Sequence, residues 1–112
     1  MRLNLSEKQI NLLQEMLSGV KNIANETEDD VNLQYAIQLD KKLRRIGYTS
    51  FKNHQIEALW YLADSGVELA KKAEEDATSE EGKQAAQTVQ NAYSQIKTDL
   101  ENTIIANSPR KA

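Results

Sequence analysis

The stretch TSEEGKQAAQTVQNAYSQIKTDLENTIIAN, residues 78–107, decides the fold. Ala86, Val89, Tyr93, Ile96, Leu100 and Ile104 recur in it at steps of three and four, the period of an α-helix that buries one narrow face. Thr78 with Glu81 reads as the capping box that opens this helix. Pro109 biases Ser108 out of the helical region and closes it near Asn107, so the pattern predicts a helix over residues 79–107.

Working back from there, Ile56, Leu59, Ala63, Val67, Ala70 and Ala73 form a second long stripe, flanked by Trp60, Leu62 and Leu69, for a helix over 51–76. Thr49, Ser50 and Asn53 are its candidate caps. At Asp64-Ser65-Gly66 a kink or restart competes with continuity, because Ser65 and Glu68 are spaced as a capping box; continuity is the favoured reading. Towards the N-terminus, Ser6 and Gln9 make a further capping box, with Leu5 and Ile10 placed as its hydrophobic staple. The stripe Ile10, Leu13, Leu17, Val20 and Ala24, widened by Met16 and Ile23, predicts a helix over 7–25. Thr27 is the expected N-cap of a helix over 28–46, with Glu28, Asp29 and Asp30 at its positive end. Its stripe is Val31, Tyr35, Leu39, Leu43 and Ile46. Lys41, Lys42, Arg44 and Arg45 suit its last turns, and Gly47 its left-handed stop.

The expected architecture is therefore all-α over one domain, residues 1–112: a four-helix bundle or pair of helical hairpins, two shorter N-terminal and two longer C-terminal helices. Composition agrees, since apolar residues make up 39% and charged ones 28%, with four glycines and one proline, too few turn residues for a many-stranded sheet. The long helices are rich in alanine beyond Ala63, which leaves two geometries open: a monomer whose 51–76 and 79–107 helices pair as a hairpin with a projecting tip, or a homodimer through one long helix. For a dimer through the last helix, Ile96 and Leu100 would form the seam.

Several chemistries lack their parts. There is no cysteine, which excludes disulfides and thiolate chemistry and fits a cytoplasmic location. No signal-peptide run or spanning stretch is present at the start or elsewhere, so no membrane role is expected. His54, the one histidine, stands with Glu57 at a three-residue spacing that is a fragment of a metal site, and no metal or cofactor is expected. Asn25, Thr27 and Asp29 imitate the start of a calcium loop, but Asp30 replaces its glycine and Ala36 its bidentate glutamate. Glu74, Glu75, Asp76, Glu80 and Glu81 gather at the expected hairpin tip, where a catalytic carboxylate pair would have no cleft. With the glycines scattered and no nucleophile motif, the chain is not expected to be an enzyme.

What remains is binding. The expected function is a small helical module that binds another protein, of the adaptor, inhibitor or immunity-protein type. Its preferred surface joins Tyr48, Phe51, Lys52 and His54 to the aromatic edge of Trp60 and Tyr61; the acidic tip is a second candidate. The competing role for these aromatics is to close the core over the turn between the second and third helices. The alternative function is nucleic-acid binding by the helix-turn-helix-like segment 41–55, with Lys41, Lys42, Arg44 and Arg45 on phosphates; a net charge of −3 weighs against it. A structural homodimer is a further alternative.

Overall fold

Each helix begins where a side chain can take an amide that has no carbonyl partner inside the helix. The computed structural model describes Leu3, residues 5–45 and residues 50–107, and within them four helices: α1 (Glu7–Glu26), α2 (Asp30–Arg44), α3 (Asn53–Asp76) and α4 (Glu80–Asn107). At α1 the expected capping box is present in full: the Ser6 hydroxyl accepts from the Gln9 amide at 3.2 Å, and the Gln9 side chain accepts from the Ser6 amide at 2.9 Å. The same Gln9 side chain donates to Asp99 at 2.8 Å, so the cap also ties α1 to α4.

Three caps differ from expectation. Thr27 closes α1 instead of opening α2, its hydroxyl donating back to the Ile23 carbonyl at 2.8 Å. Glu28 then turns left-handed at φ 56°, and the Glu28 and Asp29 amides donate to Asn25 and Ala24 in a Schellman closure. With that turn spent on ending α1, Asp29 becomes the N-cap of α2 and accepts from the Asn32 amide at 3.2 Å. At α3 the N-cap is Lys52, whose amide donates at 2.9 Å to Gln55, three residues on. At α4, Ser79 replaces Thr78, accepting from the Gly82 amide at 3.1 Å. The Gly47 stop and Ile46 lie outside the described residues.

The helices pair as two hairpins. α3 packs most extensively on α4 and α1 on α2, while α1 also touches both long helices and joins the pairs. One buried cluster runs through all four: Leu13 and Leu17 from α1, Leu39 and Leu43 from α2, Ile56 and Leu59 from α3, Ile96 and Leu100 from α4. Phe51 closes it at the entry to α3. Ile96 and Leu100 are therefore fully buried within one chain, and the dimer seam expected of them is occupied internally by the core.

α3 runs unbroken through Asp64-Ser65-Gly66. Gly66 is needed there for packing: the Tyr93 ring lies so close that a Cβ on residue 66 would come within 2.6 Å of it. Beyond the ring, the Tyr93 hydroxyl donates to the Leu12 carbonyl of α1 at 3.4 Å, so Tyr93 is wedged between both hairpins. Burial, and secondarily the charge of Glu15, push the Tyr93 hydroxyl above its ordinary pKa. A group whose pKa is raised on folding contributes stability that is present below its unfolded value, near 10, and lost as pH climbs through the folded one. Tyr93→Phe should accordingly lose less stability than the wild type as pH climbs above about 10. Urea midpoints across that range check it, with equal alkaline losses in the two proteins as the contrary result.

α2 turns the expected stripe inward at Leu39 and Leu43, with Tyr35 packed against the core, and departs from it at the helix start. Val31 is 80% exposed, whereas Asp40 is buried alongside Ala36, Leu39 and Leu43. The Asp40 carboxylate meets Lys21 of α1 at 3.1 Å and Arg44 at 3.0 Å, so an ion-paired acid holds a position on the hairpin's inner side.

The core ends before the long hairpin does. Ala70 and Ala86 are the last buried residues towards its tip, leaving the end of α3 and the beginning of α4 uncovered. The radius of gyration, 15.3 Å, exceeds the roughly 13 Å of a compact chain of this length, as a projecting hairpin requires. No helix among the described residues is long and apolar enough to cross a membrane.

Candidate protein-binding groove

The residues expected to form a binding surface separate into three places. Phe51 is 1% exposed and belongs to the core, so it offers no surface anchor. Tyr48 lies outside the described residues. Lys52 and His54 are exposed at the start of α3, where the Tyr35 hydroxyl of α2 donates to the His54 carbonyl at 3.3 Å.

Trp60 and Tyr61 stand further along α3. The Trp60 indole N–H donates to Glu101 at 2.9 Å, and the Lys97 ammonium lies 4.7 Å from its ring centroid while pairing with Asp64 at 2.8 Å. These contacts fix Trp60 as a bridge between α3 and α4. Tyr61 meets it edge-on at 5.2 Å and is 65% exposed. The two share a shallow concavity with Glu57, Glu101 and Ile104.

The basic residues are likewise divided. Lys42 is committed to structure: its ammonium donates to the Ser50 carbonyl and the Gln55 side chain, both at 2.9 Å, and sits 5.4 Å from the Phe51 ring centroid. Arg44 is held by Asp40. Lys41 and Arg45 are exposed, and the four side chains surround one concavity.

A different surface is the more apolar. Where α1 meets the long hairpin, a groove of about 430 Å³ opens over the α3/α4 seam. Gly66 and Tyr93 line its inner end, Leu69, Ala70 and Ala73 one wall, and Ala85, Ala86 and Val89 the other. Met16 contributes from α1, and Gly82 from the tip. Leu69 is 60% and Val89 41% exposed.

The sequence explains why the groove exists. Alanine and glycine on the facing sides of α3 and α4 allow close approach but give low walls and little buried area. No charged side chain lines the groove, and its one polar side chain, Tyr93, points its hydroxyl at Leu12. Such a surface can take up apolar carbon, but it brings no acid, base or nucleophile to a substrate. Among the described residues, no group of three or more histidine, aspartate or glutamate side chains is placed to hold a metal ion.

Sequence reading placed Val89 on the buried stripe and Leu69 beside it, and missed that both face open space. The available signal was Leu69 itself, a large apolar residue beside a stripe of alanines. No protein-family model matches the chain, and neither does any curated protein or solved structure.

Proposed function

We propose that this chain is a non-catalytic helical module that binds another protein, of the adaptor or inhibitor kind, and that the α3/α4 groove is its binding surface. The observation that carries this reading is the contiguous apolar groove with Leu69 and Val89 exposed within it. Water contact with apolar carbon is relieved when a partner covers such a patch, and interface cores are depleted of charge in the same way. The aromatic edge at Tyr61 is a lesser candidate, because Trp60 beside it is already occupied by Glu101 and Lys97. A cytoplasmic location belongs to the same proposal, supported by the cysteine-free composition.

Nucleic-acid binding is the second reading, favoured by the concavity that Lys41, Lys42, Arg44 and Arg45 surround. The engagement of Lys42 and Arg44 with Gln55 and Asp40 weakens it.

A tagged pull-down from nuclease-treated lysate tests the proposal with three proteins: wild type, the groove variant Leu69→Gln/Val89→Gln, and Tyr61→Asp. All the substituted residues are exposed, so the fold should survive. The expected result is a stoichiometric protein held by the wild type and by Tyr61→Asp, and reduced about tenfold or more by the groove variant. Loss on Tyr61→Asp alone would move the site to the aromatic edge. Material recovered only without nuclease would favour the basic concavity.

A further inference from the structure

We infer that the groove receives a short basic amphipathic helix of a partner protein, laid over Leu69 and Val89 with its cationic side chains towards the hairpin tip. This rests on the groove being the binding surface, and adds the chemistry of its occupant.

The groove's polarity selects a helix. An extended peptide laid there would bring unpaired amides and carbonyls against a lining that has no free hydrogen-bonding side chain, which is costly. A helix satisfies its own backbone and can present a purely apolar stripe. Length agrees with this. From Gly66 to Ala73 on α3, and from Gly82 to Val89 on α4, each wall spans seven residue steps, or roughly 10 Å. That is the rise between the first and last anchors of an i, i+4, i+7 stripe, so two turns of a partner helix fill the groove.

Charge sets the sign of the partner's polar face. Between Ala73 and Gly82, both of which line the groove, every charged residue is acidic; Glu74 and Glu75 turn to a separate concavity, which leaves the exposed Asp76, Glu80 and Glu81 at the groove's tip end. At the other end, Glu15 of α1 is exposed and stands next to Met16, which lines the groove. The nearby cations are mostly turned elsewhere. Lys71 pairs with Glu68 at 3.5 Å, and it shares a separate concavity with Lys83, Glu74 and Glu75. Lys72 is the exception, one helical turn from Leu69 and exposed. A cationic helix meets carboxylates at both ends of its bed and one lysine at its side.

Two synthetic helical peptides of about 18 residues provide the probe. They share one leucine stripe and carry lysine and arginine, or glutamate, at the remaining positions. Fluorescence anisotropy of the labelled peptides against the full chain should show the basic peptide binding at least about tenfold more tightly, by an amount that shrinks with salt. Leu69→Gln/Val89→Gln should weaken it about tenfold, and Lys72→Glu should strengthen it severalfold. Circular dichroism of each variant confirms that the fold is retained.

Equal binding of the two peptides, or preference for the acidic one, overturns the inference. So does a wild-type dimer in sedimentation that the groove variant dissolves, because a second copy would then be the occupant. If neither peptide binds yet the groove variant still loses the partner captured from lysate, the groove remains the site and only the basic helix is wrong. If the groove variant changes neither capture nor peptide binding, both fall together.

Discussion

Replacing Gly66 with alanine should destabilise the protein by about 2 kcal/mol, even though alanine is the better helix former by about 1 kcal/mol. The added methyl would stand 2.6 Å from one ring atom of Tyr93 and 2.7 Å from two more. The ring cannot retreat freely, because its far side reaches Leu12 of α1 and any retreat pushes the two hairpins apart. Gly19 supplies the internal control. It also lies inside a helix, but a Cβ there meets nothing within 4 Å, so Gly19→Ala should stabilise by up to about 1 kcal/mol. Opposite signs in urea titrations, with Gly66→Ala melting on the order of 5 to 10 °C lower, would establish Tyr93 as the wedge between hairpins. Stabilisation by both substitutions would mean that Tyr93 is not seated as described.

Ile96→Asp should leave the chain unfolded at every concentration. Ile96 is fully buried in a cluster shared with Leu59, Ile56 and Leu100, so a carboxylate there would be taken out of water into an apolar surrounding. The cost of burying it, several kcal/mol, is a large part of the 5 to 15 kcal/mol that holds a typical domain folded. Ile96→Ala should remain folded but lose about 2 to 4 kcal/mol through the cavity it leaves. Circular dichroism and sedimentation separate this from a dimer seam. A folded monomer from Ile96→Asp, or an Ile96→Ala midpoint that rises with protein concentration, would place the residue between chains instead of within one.

The order and extent of the helices are legible in the sequence because they depend on local chemistry. The capping box of Ser6 and Gln9 is contained in four residues, and residues 7–25 and 79–107 as expected differ by a single residue at one end from Glu7–Glu26 and Glu80–Asn107. Where a neighbouring residue could do the same local work, the sequence was ambiguous: Ser79 beside Thr78, and Asp29 two residues after Thr27, are equally plausible caps until the path of the chain chooses between them.

Faces were harder to read than boundaries. Asp40 looks like a solvent-exposed acid paired with Arg44 on its own helix, and its second cation, Lys21, comes from nineteen positions earlier on another helix. Phe51, an aromatic in a basic turn, could be read as a binding anchor or as closing the core over that turn, and the core takes it up. The groove was the least legible feature. It depends on where α1 stops covering α3 and α4, a relation among three helices that no periodicity within one of them encodes.

Amide chemical-shift mapping of the isotope-labelled chain, titrated with the partner protein recovered in the pull-down, tests the groove most directly. The account predicts that the largest shifts fall on Met16, on residues 66–73 and on residues 82–93, the three segments that line it. Shifts centred on Lys41 to Arg45 and Lys52, or on Trp60 and Tyr61, with residues 66–73 unmoved, would contradict it.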